Sequence, residues 1–143
     1  MVTFDDVARF ARALPDVAEG TRWGNRTWLV GKSGFAWERP FSKADLKRFG
    51  DAQPPTGEIL AVRVADLAEK DAVLAANRRA MFTIEHFNNF PAVLVQLEKA
   101  SAKAVGEALV DAWLACAPAG LAEPYAGPSG VRALSARISA ARS

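Results

Sequence analysis

The spacing of apolar residues changes along the chain, and this change restricts the fold more than any other feature. Near the start, Phe4, Val7 and Phe10 recur at the spacing of one helix face. From residue 19 to 38 the pattern changes to short segments rich in aromatic and β-branched residues, which is typical of strands joined by tight turns. The first part of the chain therefore predicts one helix followed by an antiparallel hairpin or meander.

The rest of the chain continues to alternate strand and helix patterns. Residues 59–64 read as an apolar strand, and Asp66 is positioned to cap the helix that follows. Residues 92–97 form a second apolar run, after which Ser101 caps a helix that Pro118 ends. This order predicts an α+β fold, in which helices pack on one face of a mostly antiparallel sheet.

The length of 143 residues is enough for one hydrophobic core. We predict one domain over residues 1–118 and a C-terminal extension over residues 119–143, made of a linker and a segment able to form a short helix. In such a helix Arg132, Arg137 and Arg142 would encircle the axis, because five residues correspond to about 140° of rotation. The extension is therefore expected to be a frayed or surface-packed terminus and not a DNA-reading arm.

Composition excludes several classes of protein. The single cysteine, Cys116, excludes an internal disulfide and a multi-thiolate zinc site. No apolar run approaches the roughly 20 residues that span a bilayer, and no leader pattern is recognisable, so we expect a cytoplasmic protein without a membrane partner. Eighteen Lys and Arg against sixteen Asp and Glu leave a net charge of +2, so any basic site must arise from clustering. A monomer is expected.

Four segments in family-like order carry a resemblance to known proteins. They are "TRWGNRTWLVGKSGFAW" at 21–37, "SKADLKRFGD" at 42–51, "HFNNFPAVLVQL" at 86–97 and "LVDAWLACAP" at 109–118. Over about residues 1–125 the sequence resembles the MmcQ/YjbR family of small bacterial proteins. The resemblance implies a frataxin-like fold and DNA binding without an agreed reaction. The sequence departs from the family pattern at Arg26, Asn89 and the pair Ala119–Gly120.

His86, the only histidine, is a candidate for catalysis or metal binding. A catalytic base needs a nucleophile or a substrate proton within hydrogen-bonding reach, but Cys116 belongs to the apolar face of the last predicted helix. No second ligand accompanies His86 at the spacing of a metal site. We therefore predict a loop that leads into a strand and borders a groove, with Asn88 and Asn89 supplying left-handed turn geometry.

Four tryptophans raise the question of an exposed stacking surface. Trp113 lies on the apolar face of a predicted helix, and Trp28 and Trp37 alternate with apolar neighbours on predicted strands, so all three are expected in the core. Trp23, in a turn with Gly24, is the best candidate for an exposed aromatic side chain.

Basic residues on the predicted turns are candidates for contacts with phosphate. They are Arg22, Arg26, Lys32, Arg39, Lys43, Lys47 and Arg48. The leading hypothesis is weak, non-specific binding of double-stranded DNA by a non-enzymatic protein, with no cofactor, metal or catalytic residue. One alternative is a small-ligand binding protein with a groove near Trp23, His86 and Asn88. Another is a protein-interaction module that uses the sheet face or an edge strand.

Overall fold

The computed structural model describes residues 1–142, which form one sheet with helices on both faces. The helices of this range are α1 (Phe4–Arg12), α2 (Lys43–Phe49), α3 (Leu67–Ala76), α4 (Ala102–Cys116), α5 (Ala119–Ala122) and α6 (Gly127–Ala141). The strands are β1 (Val17–Arg22), β2 (Asn25–Val30), β3 (Ser33–Glu38), β4 (Ile59–Arg63), β5 (Met81–Phe82) and β6 (Ala92–Gln96). Across these 142 residues, no helix is both long and apolar enough to cross a membrane.

All neighbouring strands in the sheet are antiparallel. The strand order is β1-β2-β3-β4-β6-β5, and two-residue turns join β1 to β2 and β2 to β3. The predicted α+β fold with a mostly antiparallel sheet is therefore confirmed.

Capping side chains mark the starts of the helices. Thr3 and Asp6 form a reciprocal capping box at α1, and Ser42 and Asp45 form another at α2. The Ser101 hydroxyl accepts a hydrogen bond from a backbone N–H in the first turn of α4. Each side chain satisfies a donor that the helix itself leaves unpaired, so these starts are encoded locally.

The main core lies between one face of the sheet and the helices α1, α4 and α6. Trp28 of β2 and Trp113 of α4 are completely buried there, as predicted. The indole N–H of Trp113 donates to the Pro15 carbonyl at 3.0 Å, and its ring meets Tyr125 edge-on at 5.5 Å between centroids. The buried indole is thus both packed and hydrogen-bonded.

The C-terminal extension contributes to this core as far as the structure describes it. Leu134 and Ile138 of α6 are buried against α1 and α4. At Gly106 of α4 an added Cβ would lie 3.3 Å from the Ile138 side chain, so the glycine allows the two helices to approach closely. Helix α6 therefore packs against α1 and α4 and extends this core.

The opposite face of the sheet, here called the second face, is only partly covered. Helix α2 and the loop of residues 85–90 lie over the part formed by β4 and β6, where Ile59, Ala61 and Leu94 are buried. Aromatic rings from α2 and its flanks pack against these residues. The prediction that helices occupy one face was therefore wrong for α2, whose Phe49 joins this second cluster. The remainder of the second face, over β1 to β3, is open.

Substitution of Trp113 tests the main core. Trp113→Ala is expected to lower the free energy of unfolding by about 3–5 kcal/mol, because it leaves a large cavity between α4 and the sheet. Urea unfolding followed by circular dichroism measures this change. Trp23→Ala is the matched control: that side chain is 97% exposed, so its loss should change stability by less than about 0.5 kcal/mol. Equal effects of the two changes would contradict the assignment.

Candidate functional site

A groove of about 950 Å³ occupies the open part of the second face. Thr27, Gly34 and Trp37 contribute from the sheet, and the turn between β1 and β2 contributes at its edge. The opposite side is formed by residues 39–48 and by the loop of residues 85–90. The groove therefore exists because α2 and this loop cover one half of the sheet face and leave the other half uncovered.

Gly34 keeps the groove open at the sheet surface. A Cβ placed on Gly34 would lie 3.0 Å from the Thr27 methyl carbon and 3.4 Å from a guanidinium nitrogen of Arg22. A Cβ here would crowd the Thr27 methyl group and would touch the Arg22 guanidinium, so the glycine leaves room for Arg22 to lie across the strand. The guanidinium of Arg22 also donates to the Lys32 carbonyl at 2.9 Å, which fixes it between the two hairpin turns.

A β-bulge explains why Trp37 lines the groove, although it was predicted in the core. The register between β2 and β3 shifts after Trp28, so Phe35 and Ala36 both lie on the side of the main core. Trp37 then takes the second face, where it is half-buried and contacts the Phe87 ring at 6.4 Å between centroids. Without the bulge, strict alternation along β3 would place Phe35 and Trp37 on the same face of the sheet.

Trp23 occupies an unusual backbone conformation beside the groove. It has φ 56° and is followed by Gly24 with φ 78°, as in a two-residue hairpin turn in which both central residues are left-handed. Such turns favour Asn or Asp before Gly, because a left-handed conformation is strained for most other residues. The indole is 97% exposed, so burial does not offset the strain.

Arg39 and Arg48 are held at the groove wall by the buried carboxylate of Asp45. The Asp45 side chain is 1% exposed and pairs with Arg39 at 2.9 Å and with Arg48 at 3.6 Å. Burial by itself would raise the pKa of Asp45, but the Ser42 backbone N–H and the Arg39 guanidinium outweigh it and lower that pKa. Two cations thus share one anion, and this wall keeps a net positive charge.

A buried lysine, Lys70, donates hydrogen bonds to the backbone of the loop of residues 85–90. The Lys70 ammonium donates to the Phe87 and Phe90 carbonyls at 2.6 and 2.9 Å. Burial lowers the pKa of Lys70, although Asp71 opposes this effect. Asn89 turns the loop with φ 63°, as predicted for the Asn pair, whereas Asn88 has φ −57°. These contacts position Phe87 and Phe90 along the groove.

The groove brings together five of the residues singled out from the sequence. They are Arg22, Trp23, Arg39, Arg48 and His86. Lys32, Lys43, Lys47 and Asn88 are exposed outside its lining, and the two lysines of α2 lie one helical turn apart. Phe90 was not identified from the sequence as a residue of the groove. The one signal for its exposure is its position directly after the Asn pair of the turn.

Arg26 does not join this basic surface. It lies on the other face of β2, where its guanidinium pairs with Glu19 at 3.1 Å and Asp5 at 3.0 Å and covers the Trp28 ring. Hydrogen bonds from Arg26 and Trp28 also lower the pKa of Glu19, although burial opposes them. The charge of Arg26 is therefore neutralised locally.

His86 lies in a 3₁₀ turn, Glu85–Phe87, and its side chain is exposed at the groove. Cys116 lies among the residues packed against the main core, on the other side of the sheet. Burial raises the pKa of the Cys116 thiol, with Arg63 opposing, which disfavours the reactive thiolate. Within residues 1–142, no cluster of three or more His, Cys, Asp or Glu could hold a metal ion.

Comparison with known proteins finds three mycobacterial relatives. Each is 41% identical to this chain over 133 residues, covering 91% of this chain and 100% of the relative. They are uncharacterized proteins Rv2570 and MT2646 of two Mycobacterium tuberculosis strains and Mb2600 of Mycobacterium bovis. The chain belongs to the same family as these proteins. No protein-family model and no solved structure matches the chain.

The coverage shows that this mycobacterial family shares nearly the whole length of the chain. The matched length of 133 residues exceeds the 118 residues of the predicted domain, so the alignment extends beyond that domain. The names of the relatives assign no activity, and the chemistry of the groove is therefore the basis for a functional proposal.

Asp45→Asn tests the electrostatics of the groove wall. Folding lowers the pKa of Asp45 below its ordinary value of 3.8. The charged carboxylate therefore stabilises the fold at pH values above 3.8. This contribution is lost as pH falls below 3.8 and through the lower folded-state value. At pH 7 we expect a loss of about 1.5–3 kcal/mol, typical of hydrogen bonds to a charged group.

The measurement is urea unfolding of wild type and variant at several pH values. The difference between them should shrink as the solution becomes more acidic than the ordinary pKa of Asp45. Asp51→Asn, at an exposed position just beyond α2, is the control and should have little effect. A difference for Asp45→Asn that stays constant with pH would show that its charge is not the stabilising feature.

Trp23→Asn tests the strain in the first hairpin turn. Asn adopts the left-handed conformation more easily, so the change is expected to stabilise the protein by about 0.5–1 kcal/mol. Thermal unfolding of wild type and variant measures this change in stability. Lys32→Asn in the second hairpin turn is the matched control, because Lys32 is not left-handed and should give no comparable gain. A loss of stability in Trp23→Asn would mean that the indole supports the fold.

Proposed function

We propose that the protein binds nucleic acid through the groove and its basic rim. The observation that carries this proposal is the lining: within the described chain, arginine and aromatic side chains line the groove and no Asp or Glu does. Phosphates are anionic and nucleobases are flat and apolar on their faces, so a nucleic acid is complementary to both parts of this surface.

The three arginines of the groove suit phosphate contacts. A guanidinium offers several donors in one plane and can hold a phosphate with two parallel hydrogen bonds. Arg22 lies on the side of the hairpin turns, and Arg39 and Arg48 lie on the wall held by Asp45. Their fixed positions reduce the entropy that is lost when a ligand is bound.

Lysines extend the positive charge beyond the groove. Lys43 and Lys47 are exposed on α2, which also carries Arg48, and Lys32 is exposed at the turn between β2 and β3. Lysine contacts of this kind add affinity that depends on salt and is largely independent of base sequence. The neutralised Arg26 is left out of the proposed surface.

The resemblance to the MmcQ/YjbR family supports the same proposal, because that family is associated with DNA binding. A frataxin-like assignment of the fold and a cytoplasmic location belong to the proposal as well. In this view the protein acts by binding and not by catalysis.

A second candidate is the binding of a small aromatic anion. The groove volume of about 950 Å³ lies within the range of small-molecule pockets, which is roughly 300–1,000 Å³. Trp23 and His86 both border it, as the ligand-groove hypothesis requires, whereas Asn88 lies outside its lining. A mononucleotide that binds tightly while an oligonucleotide does not would favour this candidate.

Salt-dependent binding of duplex DNA tests the proposal. We expect a Kd of about 10⁻⁴ to 10⁻⁶ M at physiological salt and a log–log salt slope of about −3 to −5, from three to five phosphate contacts. Fluorescence anisotropy at several salt concentrations measures both. Replacing Arg22 and Arg48 together by Gln should weaken binding and reduce the magnitude of the slope by about 2.

The matched control removes the same charge elsewhere. Arg132 and Arg142 are exposed on α6 and at its C-terminal end, on the other side of the sheet, and their replacement by Gln should leave the slope unchanged. Absence of duplex binding at low salt would remove double-stranded DNA from consideration. An equal effect of the two double variants would show that only the net charge matters.

A further inference from the structure

Resting on the proposed nucleic-acid function, we infer that the ligand of the groove is a single-stranded segment whose bases stack on exposed aromatic side chains, Trp23 foremost. The shared chemistry is an unpaired base next to a phosphate, which single-stranded DNA and single-stranded RNA both provide.

The first argument comes from Trp23 itself. Its indole is 97% exposed, and its backbone has φ 56°, a conformation in which Asn or Gly would be less strained. Within residues 1–142, neither packing nor turn geometry therefore benefits from a tryptophan at this position. Strained residues of this kind concentrate at binding sites, where the ligand supplies the missing contacts. A flat indole surface in water, at the edge of a groove that three arginines line, suits a stacked base.

The second argument comes from the aromatic row inside the groove. Trp37 contacts Phe87 at 6.4 Å between centroids, and Phe87 contacts Phe90 at 5.6 Å. Phe90 is 37% exposed although it is a large apolar residue, and the carbonyls of Phe87 and Phe90 are fixed by Lys70. The rings therefore have defined positions before a ligand arrives. Unpaired bases can contact the exposed Phe90 and the half-buried Trp37, whereas Phe87 is buried and supports them from beneath.

The third argument distinguishes a single strand from a duplex. In a duplex the base faces are stacked on one another, and an aromatic side chain reaches them only if a base is flipped out or the stack is opened. The outer surface of a duplex is convex, so it does not reach rings that lie inside a concave groove. A single strand lets its bases enter the groove while Arg22, Arg39 and Arg48 contact its phosphates.

The test compares three fluorescein-labelled probes of about 12 nucleotides or base pairs, a length within the usual single-strand site size. The probes are an oligothymidine, an oligouridine and a mixed-sequence DNA duplex, measured by anisotropy with the full chain. We expect a single strand to bind more tightly than the duplex. Trp23→Ala should weaken single-strand binding about 5- to 140-fold, the loss of one stacked base, and leave duplex binding unchanged.

Two further variants separate stacking from structure. Trp23→Phe should keep most of the single-strand affinity, because a phenyl ring also stacks. Trp23→Asn should lose it even though the turn becomes more stable, a combination that a merely structural role would not produce. Leu67→Ala, at a large exposed residue at the start of α3, is the control and should change neither affinity.

The outcomes separate this inference from the proposed function. Equal affinity for duplex and single strand, or single-strand affinity that does not change in Trp23→Ala, would overturn the stacking inference. Nucleic-acid binding would still stand if the Arg22 and Arg48 double variant reduced the salt slope. No binding of any probe would overturn both. Single-strand binding that depends on Trp23 supports the inference, and the preferred backbone identifies the ligand as DNA or RNA.

Discussion

The whole fold relies on burying one sheet face beneath α1, α3 and α4, with α6 packed against α1 and α4. Trp28 and Trp113, the two largest fully buried side chains, lie in this interface together with branched aliphatic residues from the strands. Removal of this apolar surface from water is the main favourable contribution to folding. The four longest helices are used there, so α2 and the loop of residues 85–90 cover only part of the second face. The groove is what they leave uncovered.

Two buried charged residues connect the interior to the walls of this groove. Asp45 lies beneath Arg39 and Arg48, and Lys70 lies behind the loop that carries Phe90. A buried charge is unfavourable unless it is paired or hydrogen-bonded. In residues 1–142 every buried side-chain nitrogen and oxygen has such a partner. Each buried charge is therefore satisfied only when its wall is in place, which favours a preformed groove over one that assembles on binding.

The chemistry of the groove is unusual for a protein whose net charge is only +2. Arg26 is neutralised on the opposite face of the sheet, while Arg22, Arg39 and Arg48 line the groove together with aromatic rings. This separation explains how a nearly neutral chain can present a cationic site. Because the mycobacterial relatives align over almost the whole chain, their groove positions offer a direct comparison for the chemistry proposed here.

Local sequence patterns were sufficient to predict the α+β class, the start of α4 at Ser101, and the burial of Trp28 and Trp113. These features depend on local capping and on short-range periodicity, which one chain displays directly. Trp23 was recognised as the best exposed aromatic for the same reason, since its turn is local. By contrast, the position of Trp37 in the groove and the absence of Arg26 from the basic surface are visible only in the folded chain. A bulge places Trp37 on the face opposite to the main core. Arg26 forms an ion pair with Asp5, which belongs to helix α1. Both depend on register and long-range pairing, which the spacing of residues along a chain does not contain.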